Sequence, residues 1–157
     1  MLERITRRER SDLLIAWLAI SVAFSLVFIK GGVTAELFVV YLLVSMFTVG
    51  IGFILHEMAH KFTAMKFGFW AEFQKNNLML LVAVAMAALV GVVFAAPGAT
   101  MIYGSYISRE QNGKISAAGP VVNLLLCIPF AALLVIAGGL TSLSGNILAQ
   151  IGLAGIQ

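Results

Sequence analysis

The chain has 157 residues, 61% of them hydrophobic and 11% charged, with a formal net charge of +3. A mean hydropathy of +1.03 excludes a soluble globular core. Apolar runs near the ~20 residues that cross a bilayer as helix recur along it, so the chain reads as a polytopic protein embedded in lipid. Its basic residues sit at the ends of those runs, where they orient helices, and this argues against nucleic acid as a partner. The single cysteine, Cys127, excludes an intrachain disulfide and reads as a small apolar residue packed in its helix.

The N-terminal stretch Met1–Asp12 is polar, with Arg4, Arg7, Arg8 and Arg10 set against Glu3, Glu9 and Asp12. The excess of arginine before the first apolar run predicts a cytoplasmic N-terminus in a multi-pass protein of the cell membrane. Leu13–Ile29 reads as the first spanning helix, with Trp17 near the interface. It is long for the apolar region of a signal peptide, and Lys30-Gly31-Gly32 is not a small-x-small cleavage site, so the helix is expected to be retained. Lys30–Ala35 is a short external turn. Glu36 or Leu37 opens a second helix that runs through Leu55 to about Phe67, and Lys61, Lys66 and Lys75 mark a cytoplasmic exit.

Gly68–Asn77 follows as a polar connector containing Glu72 and Lys75. Leu78–Ala96 is apolar and is ended by Pro97-Gly98. It either crosses the membrane or folds back, and the sequence leaves both open. Thr100–Ile107 is rich in β-branched and aromatic residues, Asn112-Gly113 is a tight-turn dipeptide, and Lys114–Ser116 is the expected return strand of a hairpin. Pro120 suits the first turn of a helix running to about Ala137 and ended by Gly138-Gly139. Thr141–Gly145 is a turn, and Asn146–Gln157 begins another apolar stretch. The expected fold is an all-α polytopic membrane protein, about four transmembrane helices with a short β-hairpin insertion, forming one domain over residues 1–157.

The chemistry-bearing stretch is His56-Glu57-Met58-Ala59-His60, an H-E-x-x-H sequence that contains both histidines of the chain. On a helix, positions four apart stack one turn above the other, so His56 and His60 can grip one metal ion. Glu57 lies about 100° round the helix, close enough to activate water. Zinc suits two imidazoles and one further ligand, with a fourth position left open. Ionisable groups inside an apolar helix cost a few kcal/mol each, which favours a functional reading. Counted from the helix start, the histidines fall after about 20 residues, in the cytoplasmic half of the membrane or at its inner face. The alternative is structural: Glu57 and Lys61 are also four apart and form an ion pair at a helix end, with the histidines merely interfacial.

In this setting the motif resembles the site-2 protease family of intramembrane zinc metalloproteases. Those proteins carry H-E-x-x-H in a transmembrane helix, often with a small residue four positions on, where this chain has Ala64. A later helix of the family begins Gly-Pro with an Asn soon after, and Ala118-Gly119-Pro120-Val121-Val122-Asn123 is similar to it. The resemblance spans roughly Leu37 to Cys127. It implies a zinc-dependent endopeptidase that cleaves the transmembrane segments of other membrane proteins, in regulated intramembrane proteolysis. His56 and His60 are then zinc ligands and Glu57 the catalytic acid/base. Asn123 is a candidate to bond the substrate backbone, although helix packing is the more frequent role of such a residue. Gly50 and Gly52, just before the histidines, permit close approach by a neighbouring helix or by substrate. The Thr100–Ile107 edge is a candidate to pair with an unwound substrate segment.

The family's third hallmark, an Asn-x-x-Pro segment ending in Asp-Gly whose aspartate is the third zinc ligand, has no counterpart in this sequence. The only aspartate, Asp12, precedes the first apolar helix. Glu72 and Glu110 are other carboxylates, without the placement expected of a ligand. Two further expectations follow: a non-catalytic membrane protein of the same fold, or a fragment that stops before the third motif, since its last apolar stretch reaches Gln157 without a polar tail.

Overall fold

Polar residues at the ends of the apolar runs set where the helices begin. Thr6 accepts from the Glu9 N–H and caps the first helix, Thr34 accepts from the Leu37 N–H, and Asn76 accepts from the Met79 N–H. The computed structural model describes residues 5–29, 34–93, 97–104, 106–138, 151 and 153–155. Its elements are α1 (Arg7–Phe28), α2 (Ala35–Ser45), a π-helical turn (Met46–Gly50), α3 (Ile51–Lys66), β1 (Trp70–Lys75), α4 (Asn77–Val90), β2 (Gly98–Tyr103) and α5 (Arg109–Gly138). Helix α3 stops at Gly68 and α4 at Gly91, both at positive φ, the conformation glycine adopts without a Cβ clash.

Among the described residues, three helices are long and apolar enough to cross a membrane: Arg7–Phe28, the continuous run Ala35–Lys66, and Arg109–Ile136. The expected fold class holds: the chain is mainly helical with a small two-stranded sheet. The fourth apolar run forms α4, only 14 residues or roughly 21 Å long, against ~30 Å of hydrocarbon. The strands on either side of it, β1 and β2, pair antiparallel, with Phe73 opposite Thr100 and Ala71 opposite Ile102. The chain therefore leaves the sheet at Lys75 and returns to it at Gly98, an arrangement that favours the fold-back reading of Leu78–Ala96, of which residues 94–96 lie outside those described.

That pairing corrects the expected hairpin. The partner of β2 is β1, in the stretch read as a polar connector, and not Lys114–Ser116. Asn112-Gly113 lies inside α5. A reciprocal cap outweighs the turn signal there: the Gln111 N–H donates to Ser108 Oγ at 3.2 Å, and the Gln111 side chain accepts from the Ser108 N–H at 3.0 Å. Ile115 is then buried with Ala64 and Ala71. Pro120 consequently sits within the helix rather than in its first turn, as does Pro129. Of the remaining expectations, residues 30–33 of the external turn, the turn Thr141–Gly145 and most of Asn146–Gln157 lie outside the described residues.

Helix α1 is the central post. Its buried stripe includes Leu13, Ala16, Ile20 and Ala23, and it packs on α2, α4, β1 and the π turn. Ala16 and Ala23 are fully buried, small residues that let helix backbones approach. Where α1 meets the π turn, Trp17 Nε1 donates to the Met46 carbonyl at 3.1 Å, taking up a backbone group freed by the irregular turn.

Candidate metal centre

Helix α3 brings His56 and His60 together as the four-residue spacing predicts: their Nε2 atoms are 3.0 Å apart. His60 Nδ1 is 2.7 Å from the Ile115 carbonyl of α5. A carbonyl can only accept, so Nδ1 carries the proton and Nε2 presents its lone pair toward His56. Anchoring the far ring nitrogen in this way is how proteins orient histidine ligands. The 3.0 Å spacing is that of a hydrogen bond donated by a His56 Nε2–H to the His60 lone pair, and a cation can take that proton's place. The space for it is defined by Gly119 of α5. A Cβ there would run into His60 Nε2 and lie 2.6 Å from His56 Nε2. Imidazole nitrogens are donors of the type that a borderline-soft divalent ion such as zinc takes.

Glu57 is buried, and its partner is Thr100 of β2, whose hydroxyl lies 2.9 Å from Glu57 Oε2 and 3.2 Å from the Glu57 carbonyl. Lys61 does not pair with Glu57. It pairs with Glu9 of α1, both side chains fully buried, and lies 5.7 Å from the centre of the Trp70 ring. The other Glu9 oxygen accepts from the Phe73 N–H at 3.0 Å. The structural alternative for the motif, an intrahelical ion pair that uses up Glu57, is therefore not what the chain builds. Helix α1, α3 and β1 are tied by a separate charge pair one residue beyond His60.

The remaining candidates divide. Asn123 of α5 lines the same cavity as His56 and Glu57, on the side of the imidazole. Glu72 accepts from Thr6 at 2.7 Å and Glu110 pairs with Lys114 on the surface, so neither reaches the histidines. Among the described residues, no group of three or more His, Cys, Asp or Glu side chains converges. Sequence reasoning missed Thr100 and Gly119 as parts of the site. Nothing local marks Thr100, because its role depends on β2 lying against α3. Gly119 was visible as part of Gly-Pro, but its use as the roof over two imidazoles depends on how α5 crosses α3.

No family model matches the chain, and no solved structure matches it. It is similar to the protein named "Putative zinc metalloprotease MJ0611" of Methanocaldococcus jannaschii, with 37% identity over 133 residues. The alignment takes in 85% of this chain and 65% of that protein, so the chain spans just under two thirds of the relative's length.

Proposed function

We propose that the chain carries the histidine ligands and acid/base residue of a zinc-dependent endopeptidase of the site-2 type, which cleaves the membrane-embedded segments of other proteins. One observation carries the reading. Two converging imidazole nitrogens and an adjacent buried carboxylate lie beneath a helix glycine, in helices long and apolar enough to span a bilayer. His56 and His60 would hold the ion. Zinc, when bound, supplies the Lewis acidity that polarises a carbonyl and acidifies water.

Glu57 takes a proton from the attacking water as its oxygen bonds to the scissile carbonyl carbon. It then gives that proton to the nitrogen as the C–N bond breaks. The Thr100 hydroxyl holds one carboxylate oxygen and leaves the other for this transfer. A peptide bond in a membrane helix is shielded by its own hydrogen bonds, so the substrate must unwind. Among the described residues strand β2 pairs with β1 alone, and its other edge offers backbone partners to an extended segment. Asn123, beside His56, is placed to bond the backbone of that segment. With the N-terminus cytoplasmic, the site lies toward the cytoplasmic face, and water reaches it from that side.

The test is cleavage of a reconstituted single-span substrate by the protein expressed from its full gene. Glu57→Gln should lower the rate by roughly 10²–10⁴-fold with zinc content unchanged, whereas His56→Ala should lose zinc. Undiminished cleavage by Glu57→Gln would overturn the assignment. The absence of a third converging ligand among the described residues favours a second reading, a non-catalytic membrane protein of the same fold. Zinc bound with no cleavage by the full protein would decide for it.

A further inference from the structure

Two glycines precede the histidines on the same continuous helix, and their surroundings differ. A Cβ on Gly50 would run into the Trp17 ring and lie 2.8 Å from Ser21 Oγ, so Gly50 is where α1 docks. A Cβ on Gly52 would meet nothing within 4 Å. Glycine in a helix interior loses conformational freedom that alanine does not, and at Gly52 no close packing is gained in return. Gly52 lies one turn before His56 and two before His60, on the same face of the helix. What it keeps open is a cavity of about 420 Å³, lined by Gly52, Phe53, Phe24, Leu126 and Phe130 and reaching His56, Glu57 and Asn123.

The cavity also touches Pro97 and Gly98, where β2 begins. A segment laid along β2 therefore passes its mouth. In an extended segment side chains alternate between faces, so only every second one can point inward. The wall is chiefly apolar, and its acid/base and imidazole groups lie where a scissile bond would be held. This matches a pocket whose apolar walls take a side chain while a few polar groups fix orientation.

We infer that this cavity is the side-chain subsite of the enzyme. It accepts one bulky apolar side chain adjacent to the bond that is cut, and the missing side chain of Gly52 sets its size. The inference rests on the endopeptidase reading and adds to it a substrate class: segments with a large apolar residue at one fixed position beside the scissile bond.

The experiment has two arms. In the first, single-span substrates carrying Ala, Leu or Phe at each position around the cut are compared, using the protein expressed from its full gene and its Gly52→Leu variant. The expected result is a preference for Phe or Leu over Ala at one position, with the ratio reduced by about 10–100-fold in Gly52→Leu. An equal loss on every substrate, or no change in the ratio, would overturn the subsite. The second arm needs no turnover. With a mild thiol oxidant added to accept the two electrons, Gly52→Cys in a Cys127→Ser, Glu57→Gln background should form a disulfide with a single substrate cysteine at that same position and not at the positions one residue to either side. Crosslinking at no position, or equally at all, would overturn it. Selective crosslinking without cleavage by the wild-type protein would sink the peptidase reading while leaving the side-chain pocket standing.

Discussion

Glu57 is held by one hydroxyl from a strand 43 positions away, and that contact makes a residue-scale prediction. Thr100→Val keeps the shape and removes the donor, leaving a carboxylate oxygen without its partner. It should lower kcat about tenfold, the scale of one charge-assisted hydrogen bond, with KM and zinc content little changed, and Thr100→Ser should restore most of the rate. Loss in the Ser variant equal to that in the Val variant would show that packing of the methyl, not the hydroxyl, is what matters. Gly119 gives a second test on the metal itself. Gly119→Ala presses a methyl against both Nε2 atoms, and zinc affinity should fall by roughly 10–100-fold, the scale seen when a ligand's support is disturbed. Competition with a chelator measures it, and an unchanged affinity would mean that the ion sits elsewhere. Neither position can be chosen from sequence alone. The H-E-x-x-H pattern identifies the side chains that face one another on a single helix, whereas Thr100 and Gly119 arrive from two other elements.

At the scale of elements, the fold around the site is keyed by the Glu9–Lys61 pair. Both side chains are fully buried, and Glu9 also receives the Phe73 N–H, so one carboxylate joins α1, α3 and β1. Removing one partner of a buried pair leaves an uncompensated charge, at about 3–5 kcal/mol, whereas replacing both with apolar residues is often near neutral. Lys61→Ala in detergent should therefore lower Tm strongly, and Glu9→Leu with Lys61→Met should recover much of it. If the double variant is no better than the worse single one, the pair is stabilising for its own sake. The sequence displays Lys61 four residues after Glu57, and a local rule prefers that partner. Tertiary packing overrides it because Glu9 arrives in a site where both charges and a backbone donor are satisfied together. The β2 partner was misread for a related reason: Asn112-Gly113 is a turn signal only if the chain has not already entered a helix, and the Ser108/Gln111 cap commits it to one.

For the whole molecule, β1–β2 pairing fixes a topological relation that no single helix does. Lys66, at the end of α3, and Tyr103, at the end of β2, are therefore expected on one side of the membrane, because α4 is short for a span and the strands on either side of it pair. A cytoplasmic N-terminus, proposed from its arginines, would make that side the cytoplasm. Single cysteines at Lys66 and Tyr103 in a Cys127→Ser background should both react with an impermeant reagent from the cytoplasmic side only. Reaction from opposite sides would overturn the fold-back of α4. Reaction of both from outside would overturn the orientation and leave the fold-back intact.

Hydropathy and end charges made the spanning helices legible, because a bilayer demands runs of a set length that satisfy their own backbone hydrogen bonds. The four-residue spacing of His56 and His60 made the imidazole pair legible, because one helix suffices to bring them together. The rest depended on elements distant in sequence. Which strand pairs with β2, which acid meets Lys61, what holds Glu57 and what roofs the imidazoles are set by backbone edges and buried charges that must find partners somewhere. Local sequence states that need without naming the partner. Only the packing of α1, α5 and the β1–β2 sheet around α3 decides it.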